Sequence, residues 1–545
     1  MPQYLVSLSI GPVQDFISAS RRTRDLWFGS KLLSEISKAV ARYVRMHGEL
    51  IFPHSATLGK DLEAGSGFAV VNKLLAVVEA ADYKELRGVV AAAQSQARDS
   101  LMTHAEKAFG IASDLAFEEM GIRPLWSDQL GHAASLEFYA AWAPYDEADY
   151  AATLAKVEQL AAARKTVRDF PAYPGIAGIP KSSLDGVRES VIEKNGLKRI
   201  QFFVNEAEQL DALGVVKRFG GRNPRRFEST TDVAAIPYEK RLRNKRPADF
   251  AKYQDAVGKL KGAPYSSYLY PHYSRSGADS DPKLVEMVRR FNFPPPRPPY
   301  YAFFIGDGDS MGKAIDNAAD SGKQGHQGLS GKLSEFAASA AEIFKQEDRG
   351  ELIFAGGDDV MALLPLDTAL ETAWEIRSAF KAAMGDVTFS AGMAVVHSLD
   401  PLTEARRLAD KAEKHAKAID GKDALAITVS PRSGADVTLR GKWDDLQDPL
   451  HQAVRHYRDR TISQGYAHEL RTMLDNTDRR DMKHLDEALF PMARALAIKK
   501  EAKPTFLEWL AGFQAAGKPR EKLNQLASLL LVARPFARAK REAES

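Results

Sequence analysis

Cysteine is missing from all 545 residues, which rules out disulfides and thiolate-bound zinc and fits a reducing cytoplasm. Uninterrupted apolar runs of about 18 residues, the length a membrane-spanning helix needs, are missing too. No basic leader precedes the strand-like pattern of Met1 to Ile10. The expectation is a soluble cytoplasmic protein with no membrane partner. One-sided charge is also absent: 75 Lys and Arg against 72 Asp and Glu leave a formal net charge of +3, so any nucleic-acid surface must be local. The 12 histidines are scattered, with no His-Glu-x-x-His and no His-Asp pair, and metallohydrolases of those kinds are unsupported. Gly306 to Lys313 superficially suggests a P-loop, but Gly306 and Gly312 are six apart instead of five. Ala314 also stands where Ser or Thr should hold Mg²⁺.

What is present is acid at strand ends. Leu352-Ile353-Phe354-Ala355 and Val360-Met361-Ala362-Leu363-Leu364 are two strand-like runs joined by Gly356-Gly357-Asp358-Asp359. The glycines supply the positive φ of a tight hairpin turn, and the aspartates sit at its mouth. A third apolar run, Tyr300 to Ile305, ends in Gly306-Asp307-Gly308-Asp309. If these runs neighbour one another in a sheet, the carboxylates converge, and such like charges resist ionising together unless a cation lies between them. Mg²⁺ or Mn²⁺ is the expected cation. Phosphoryl and nucleotidyl transfer need metal ions that bridge phosphate oxygens and bind the attacking hydroxyl, and carboxylates on rigid strand ends supply that. Asp307 and Asp358 are the primary expected ligands, joined by Asp359, with Asp309 left open and the Gly308 carbonyl as a further donor.

The chain is too long for one core, and its element order repeats. Strand Tyr4–Ser9, a long helix Val13–Met46, strands Leu50–Phe52 and Lys73–Val78, a helix around Asp82–Gly110 and strand Leu136–Trp142 read βαββαβ. From Tyr300 the order returns: strand to Ile305, helix Leu329–Phe344, hairpin Leu352–Leu364, helix Leu370–Met384, strand Val387–Val395. A further helix Leu402–Ile419 and strand Leu425–Val429 follow. The fold class is α+β: two ferredoxin-like palms, a middle linker domain and a C-terminal helical bundle. The expected domains are 1–145, a degenerate first palm; 146–298, a helical and basic middle; 299–440, the acidic palm; and 441–545, helical. A stiff Pro294–Pro299 spacer marks the second palm's start. In the middle, Lys217-Arg218, Arg222, Arg225-Arg226, Lys240-Arg241, Arg243 and Lys245-Arg246 are interleaved with Phe219, Phe227 and Tyr238. That pattern suits either an RNA backbone with unstacked bases or a solvated basic loop. Lys411, Lys414 and Lys417 recur at spacings of three on one helix and offer an electropositive wall for phosphates.

The acidic strand end, the Gly-Gly-Asp-Asp hairpin, Ser390-Ala391-Gly392-Met393-Ala394 and Ala409-Asp410-Lys411-Ala412 together resemble the nucleotide-cyclase palm of GGDEF diguanylate cyclases. Ser9-Ile10-Gly11-Pro12-Val13-Gln14-Asp15-Phe16-Ile17, and Arg21-Arg22-Thr23-Arg24-Asp25-Leu26-Trp27-Phe28-Gly29-Ser30 after it, closely resemble another family. This is the large palm-polymerase subunit of type III CRISPR RNA-guided effector complexes, Cmr type. Lys181 to Ser190 and Phe227-Glu228-Ser229-Thr230 extend that likeness over nearly the whole chain. The resemblance implies that two palms face each other and that the second makes cyclic oligoadenylate, or a related ATP-derived messenger, when target RNA binds. It implies Asp307, Asp358 and Asp359 as metal ligands and catalytic residues. Gly306, Gly308, Gly356 and Gly357 would then allow close approach of the nucleotide, and Lys411 would contact phosphate. The first palm would hold the acceptor ATP near Ser9 and Gly11, with Pro12 and His54-Ser55-Ala56-Thr57 where acids would stand. Implied partners are other Cmr-type subunits, guide CRISPR RNA and target RNA. Many members of that family also carry an HD nuclease domain and a Cys-rich zinc element, whereas this sequence begins in the palm and has no cysteine. A catalytically silent RNA-binding scaffold and a stand-alone cyclic dinucleotide synthase are the alternative readings.

Overall fold

The computed structural model describes residues 1–112, 123–132, 135–167, 174–192, 208–221, 229–258, 265–270, 282–291, 297–479, 483–513 and 518–545. Arg222, Arg225, Arg226, Phe227, Glu228 and Pro294 to Pro296 of the sequence reading lie outside them.

Strand β1 (Gln3–Gly11) shows how alternation places its two faces. Tyr4, Val6, Leu8 and Ile10 enter a core with helices Thr23–Arg45 and Tyr83–Ala112. Leu5 faces the opposite way, against Tyr150, Leu154 and Val157 of helix Tyr150–Thr166. Helix Tyr83–Ala112 buries Leu86, Val89, Ala93, Ala97, Leu101, Ala105 and Ala108, the three-and-four spacing of a single buried stripe. With β2 (Gly48–Phe52), β3 (Lys73–Glu79) and β4 (Glu137–Pro144), β1 forms an antiparallel sheet of order β2-β3-β1-β4. This is the split βαβ arrangement that the element order predicts.

The second sheet repeats it and goes further. Strands β5 (Tyr300–Gly308), β6 (Glu351–Gly356), β7 (Asp359–Pro365) and β8 (Phe389–His397) stand in the order β6-β7-β5-β8, extended by β9 (Ala424–Val429) and β10 (Val437–Lys442). Every residue of β8 is buried, because helices cover both faces of the sheet. Ala302 and Phe304 pack with helices Gly322–Ile343 and Ala369–Met384. Tyr301 and Phe303 pack beneath helix Leu402–Lys417 and Val233 and Ala234 of helix Thr230–Lys245. The C-terminal helices, from Trp443 onward, continue the first of these cores, and the Trp443 indole donates to the Phe389 carbonyl at 2.7 Å.

Several element boundaries differ from expectation. The long first helix is two, Gln14–Ser18 and Thr23–Arg45, and at the start of the second the Asp25 carboxylate accepts from the Arg22 backbone N–H at 3.3 Å. The helix expected at Leu329–Phe344 runs from Gly322 to Ile343 after a separate helix Met311–Asp320, and β10 was not expected. β5 continues through the acidic residues to Gly308, because Asp307 and Gly308 pair with Ser390 and Phe389 of β8.

The middle basic residues also need correction. Lys217 and Arg218 are 2% and 1% exposed, and Phe219 and Tyr238 are core residues, so these four offer RNA neither charge nor rings. Arg218 makes paired hydrogen bonds to Asp25 (2.6 and 2.8 Å) and Glu208 (2.9 and 2.7 Å). Lys240 is drawn to Asp367 at 2.6 Å. Arg218 thereby ties the middle region to the first palm's helix, and despite burial its charge holds the Asp25 and Glu208 carboxyls below the usual range. Arg218→Met takes the paired guanidinium away from two buried carboxylates and is expected to cost about 3–5 kcal/mol. Chemical denaturation should show that loss, whereas Arg290→Ala, removing the exposed pair with Glu286, should leave the midpoint unchanged.

Candidate metal and nucleotide site

Hairpin β6–β7 closes through two residues, since Gly356 pairs with Asp359 and leaves Gly357-Asp358 as the turn. Gly357 sits at φ 62°, a conformation that favours glycine. β5 lies beside β7, and a Cβ on Gly308 would stand 2.9 Å from the Asp358 Cβ. Only a glycine there lets the turn's carboxylate approach the strand. The result is a cluster in which one carboxylate oxygen each of Asp307, Asp358 and Asp359 lies within 4.8 Å of the others.

A cationic group already leans on this cluster. The Lys417 ammonium contacts the Asp307 carboxylate, and it lies 2.9 Å from Glu413 on the preceding helical turn. Their helix, Leu402–Lys417, can come this close because Gly392 of β8 faces it: a Cβ there would lie 2.2 Å from the Glu413 nitrogen and 2.3 Å from the Ala409 oxygen. Sequence reading quoted Gly392 only as one letter of a motif. A lone glycine in an otherwise apolar strand was the available signal of close backbone approach.

Burial raises the Asp358 carboxyl to about 6 and that of Asp359 to about 7, and the Asp358 and Glu413 charges add to the rise at Asp359. Burial and the Lys422 charge lower the Lys417 ammonium to about 8. The carboxylates it touches act the other way. Three hard oxygen donors could hold a divalent metal ion, with which the Lys417 ammonium on Asp307 would compete.

The other expected site residues fall in distinct places. Asp309 is not in the cluster: it is 3% exposed and its Oδ2 accepts from the Thr388 and Ser390 hydroxyls, both at 2.9 Å, and from the Asp423 amide at 3.1 Å. It anchors a turn whose Gly421, Lys422 and Asp423 all have positive φ and which brings the Lys422 ammonium to 3.1 Å from the Ser310 hydroxyl. Lys411 and Lys414 are exposed on the acid-side helix, and it is Lys417 that reaches Asp307. Gly306 faces the Phe389 ring; Gly356 and Gly357 lie against Ala69 and Val71 of the first palm. Ser9 is buried on the first sheet beside Lys73 and Glu158, and Gly11 ends β1 next to Glu137. The first palm's tip, His54 to Thr57, lines a separate cavity of about 550 Å³ with Arg45, Glu49, Lys60 and Gln327. His54 is held across the palms, its amide donating to Ser330 Oγ (2.7 Å) and its carbonyl accepting from Ser334 (3.0 Å).

A carboxyl raised above its unfolded value destabilises the fold once it loses its proton. Asp359→Asn should therefore raise the unfolding midpoint at pH 8 without divalent ions, and this gain should shrink as pH falls from about 7 toward 4. Scanning fluorimetry across pH checks the sign; a gain that grows on acidification contradicts it. Gly392→Ala should lower the midpoint, an overpacking cost of about 1–3 kcal/mol, and weaken the stabilisation given by Mn²⁺, read in the same assay.

A family model described as Cas10/Cmr2, second palm domain, matches residues 300–426, and one described as CRISPR-associated protein Cmr2, N-terminal, matches residues 5–101. The CRISPR system Cmr subunit Cmr2 of Pyrococcus furiosus is 35% identical over 177 residues, which cover 27% of this chain and only 20% of that protein. A chain of the type III-B Cmr-beta structure in its apo state superposes with a TM-score of 0.69 at 13% identity, covering 92% of this chain and 77% of that one. The Cmr-beta structure bound to cognate target RNA gives 0.61 at 14% identity, covering 92% and 79%. At those identities the structural likeness is one of fold. Residues 300–426 are thus similar to the Cas10/Cmr2 second palm domain and residues 5–101 to the Cmr2 N-terminal region.

Proposed function

We propose that this chain is the large subunit of a type III, Cmr-type CRISPR RNA-guided effector complex and that its second palm makes cyclic oligoadenylate, or a related ATP-derived messenger, when target RNA binds. The observation that carries this reading is the asymmetry of the two palms. Both have the same strand order, yet among the described residues only the second brings three carboxylates together at its hairpin.

Asp307, Asp358 and Asp359 would hold Mg²⁺ or Mn²⁺, which when bound neutralises charge on the transferring phosphate and on the leaving pyrophosphate. The reaction is attack of a ribose hydroxyl of one ATP on the α-phosphate of a second, forming a phosphodiester and releasing pyrophosphate. Gly356 and Gly357 would border the nucleotide at the hairpin, where they face Ala69 and Val71 of the first palm. Lys417 and Lys422 place positive charge on the side of the acids formed by the Leu402–Lys417 helix and the turn after it, and Lys411 is a third candidate for phosphate. The first palm, through Ser9, Gly11 and the His54–Thr57 tip, would hold the acceptor nucleotide.

With the complex assembled on guide RNA and supplied with ATP and Mg²⁺ or Mn²⁺, mass spectrometry should detect ATP-derived oligonucleotides only when matching target RNA is present. Asp358→Asn with Asp359→Asn should reduce them by a factor of about 100 or more, the order expected for lost charge stabilisation at a reacting centre, with assembly intact. Full synthesis in the double variant contradicts the site. GTP products from the isolated chain indicate a stand-alone cyclase, and silence throughout a scaffold.

A further inference from the structure

A second concentration of charge lies in the C-terminal part of the fold. Here the end of helix Trp443–Arg458, the last turns of helix Pro519–Glu544, helix Thr230–Lys245 and the segment entering β5 meet around a cavity of about 570 Å³. Its basic lining is Arg241, Arg297, Arg458, Arg460 and Arg541. Two lining acids, Asp459 and Glu544, both lie on Arg458, at 2.9 and 3.6 Å. Glu542, buried behind the cavity, accepts the Arg297 backbone N–H at 3.1 Å. Arg297, Arg460 and Arg541 pair with no carboxylate among the described residues, and the Arg541 Nε is buried without a hydrogen bond. Burial and the charges of Arg297, Arg460 and Arg538 hold the Arg541 guanidinium below its ordinary value. Arg460 is held at φ 52° as the left-handed residue that closes helix Trp443–Arg458, its N–H donating to the Tyr457 carbonyl at 3.4 Å and that of Thr461 to the His456 carbonyl at 2.9 Å.

The Arg297, Arg460 and Arg541 guanidiniums, gathered with no carboxylate in ion-pair reach among the described residues, repel one another and cost stability unless an anion completes them. Their planar forks match phosphate oxygens two at a time, and the lining holds no aromatic ring on which a base would stack. We propose that this cavity binds adjacent phosphate groups, as carried by a free polyphosphate or by a turn of single-stranded RNA backbone. The proposal is independent of the acid cluster and of any activity there.

The test uses the full chain in EDTA, where the carboxylate cluster repels anions, with inorganic tripolyphosphate followed by calorimetry and a labelled single-stranded RNA by fluorescence anisotropy. Arg297→Gln with Arg460→Gln changes two exposed side chains, and Arg541→Gln is a second, independent variant. Unfolding midpoints no lower than that of the wild type establish that these variants fold. At least one probe should bind the wild type and weaken about tenfold or more in both variants, while Asp358→Asn binds as the wild type does. If RNA binds, removing two phosphate contacts should flatten its salt slope by about 1.4. Tripolyphosphate that binds and displaces RNA identifies a free polyphosphate as a ligand; RNA binding that resists tripolyphosphate yet falls in the variants identifies the strand. Unchanged affinity in the variants, or no binding of either probe by the wild type, overturns the proposal.

Discussion

Mutual repulsion among three carboxylates is the constraint around which the second palm is arranged. Asp307 ends a central strand, while Asp358 and Asp359 stand at the neighbouring hairpin, and nothing in hydrophobic packing calls for them to converge. Their approach rests on missing side chains: Gly308 admits the turn, Gly357 closes it, and Gly392 lets the covering helix settle on the sheet so that Lys417 meets Asp307. Asp309, which sequence alone leaves undecided, serves the same end indirectly by holding the turn that carries Lys422. A site that stores like-charge repulsion on rigid strands is prepared for a cation before one arrives.

The first palm shows what the same topology becomes without acids. Its tip is held by a hydrogen bond to Ser330 and one from Ser334 of the second palm, and Glu49 on its edge strand binds Lys323 at 2.6 Å. Ala69 and Val71 lie against the Gly356-Gly357 turn. The two halves are thus packed against one another through the very loops that distinguish them, and a shift of one palm is felt at the other's turn. The Arg218 ion pairs add a further tie, because Asp25 belongs to a first-palm helix while Arg218 and Glu208 belong to the middle region.

Much of this was legible in the sequence, because period-two apolar runs and a two-residue Gly-rich turn are local signals. The strands of both palms and the convergence of Asp307, Asp358 and Asp359 followed from element order. What escaped depended on partners distant in the chain. Strand β5 extends through Asp307 because β8 supplies hydrogen bonds to it. Lys217 and Arg218 read as surface charge, yet they are buried because Asp25 and Glu208 lie opposite Arg218 and the Phe16 carbonyl accepts from Lys217. The choice of Lys417 over Lys411 was equally hidden, since a spacing of three spreads lysines over about 120° of a helix, and only the contact at Gly392 fixes which part of that arc faces the acids.

The most direct test of the central claim is a crystal structure of the protein grown with Mn²⁺ and a non-hydrolysable ATP analogue, with Mn²⁺ located by anomalous scattering. An anomalous peak ligated by Asp307, Asp358 and Asp359, with the Lys417 ammonium moved from Asp307 toward the phosphates, is the predicted result. A peak elsewhere, or none, with Lys417 still seated on Asp307 would contradict it.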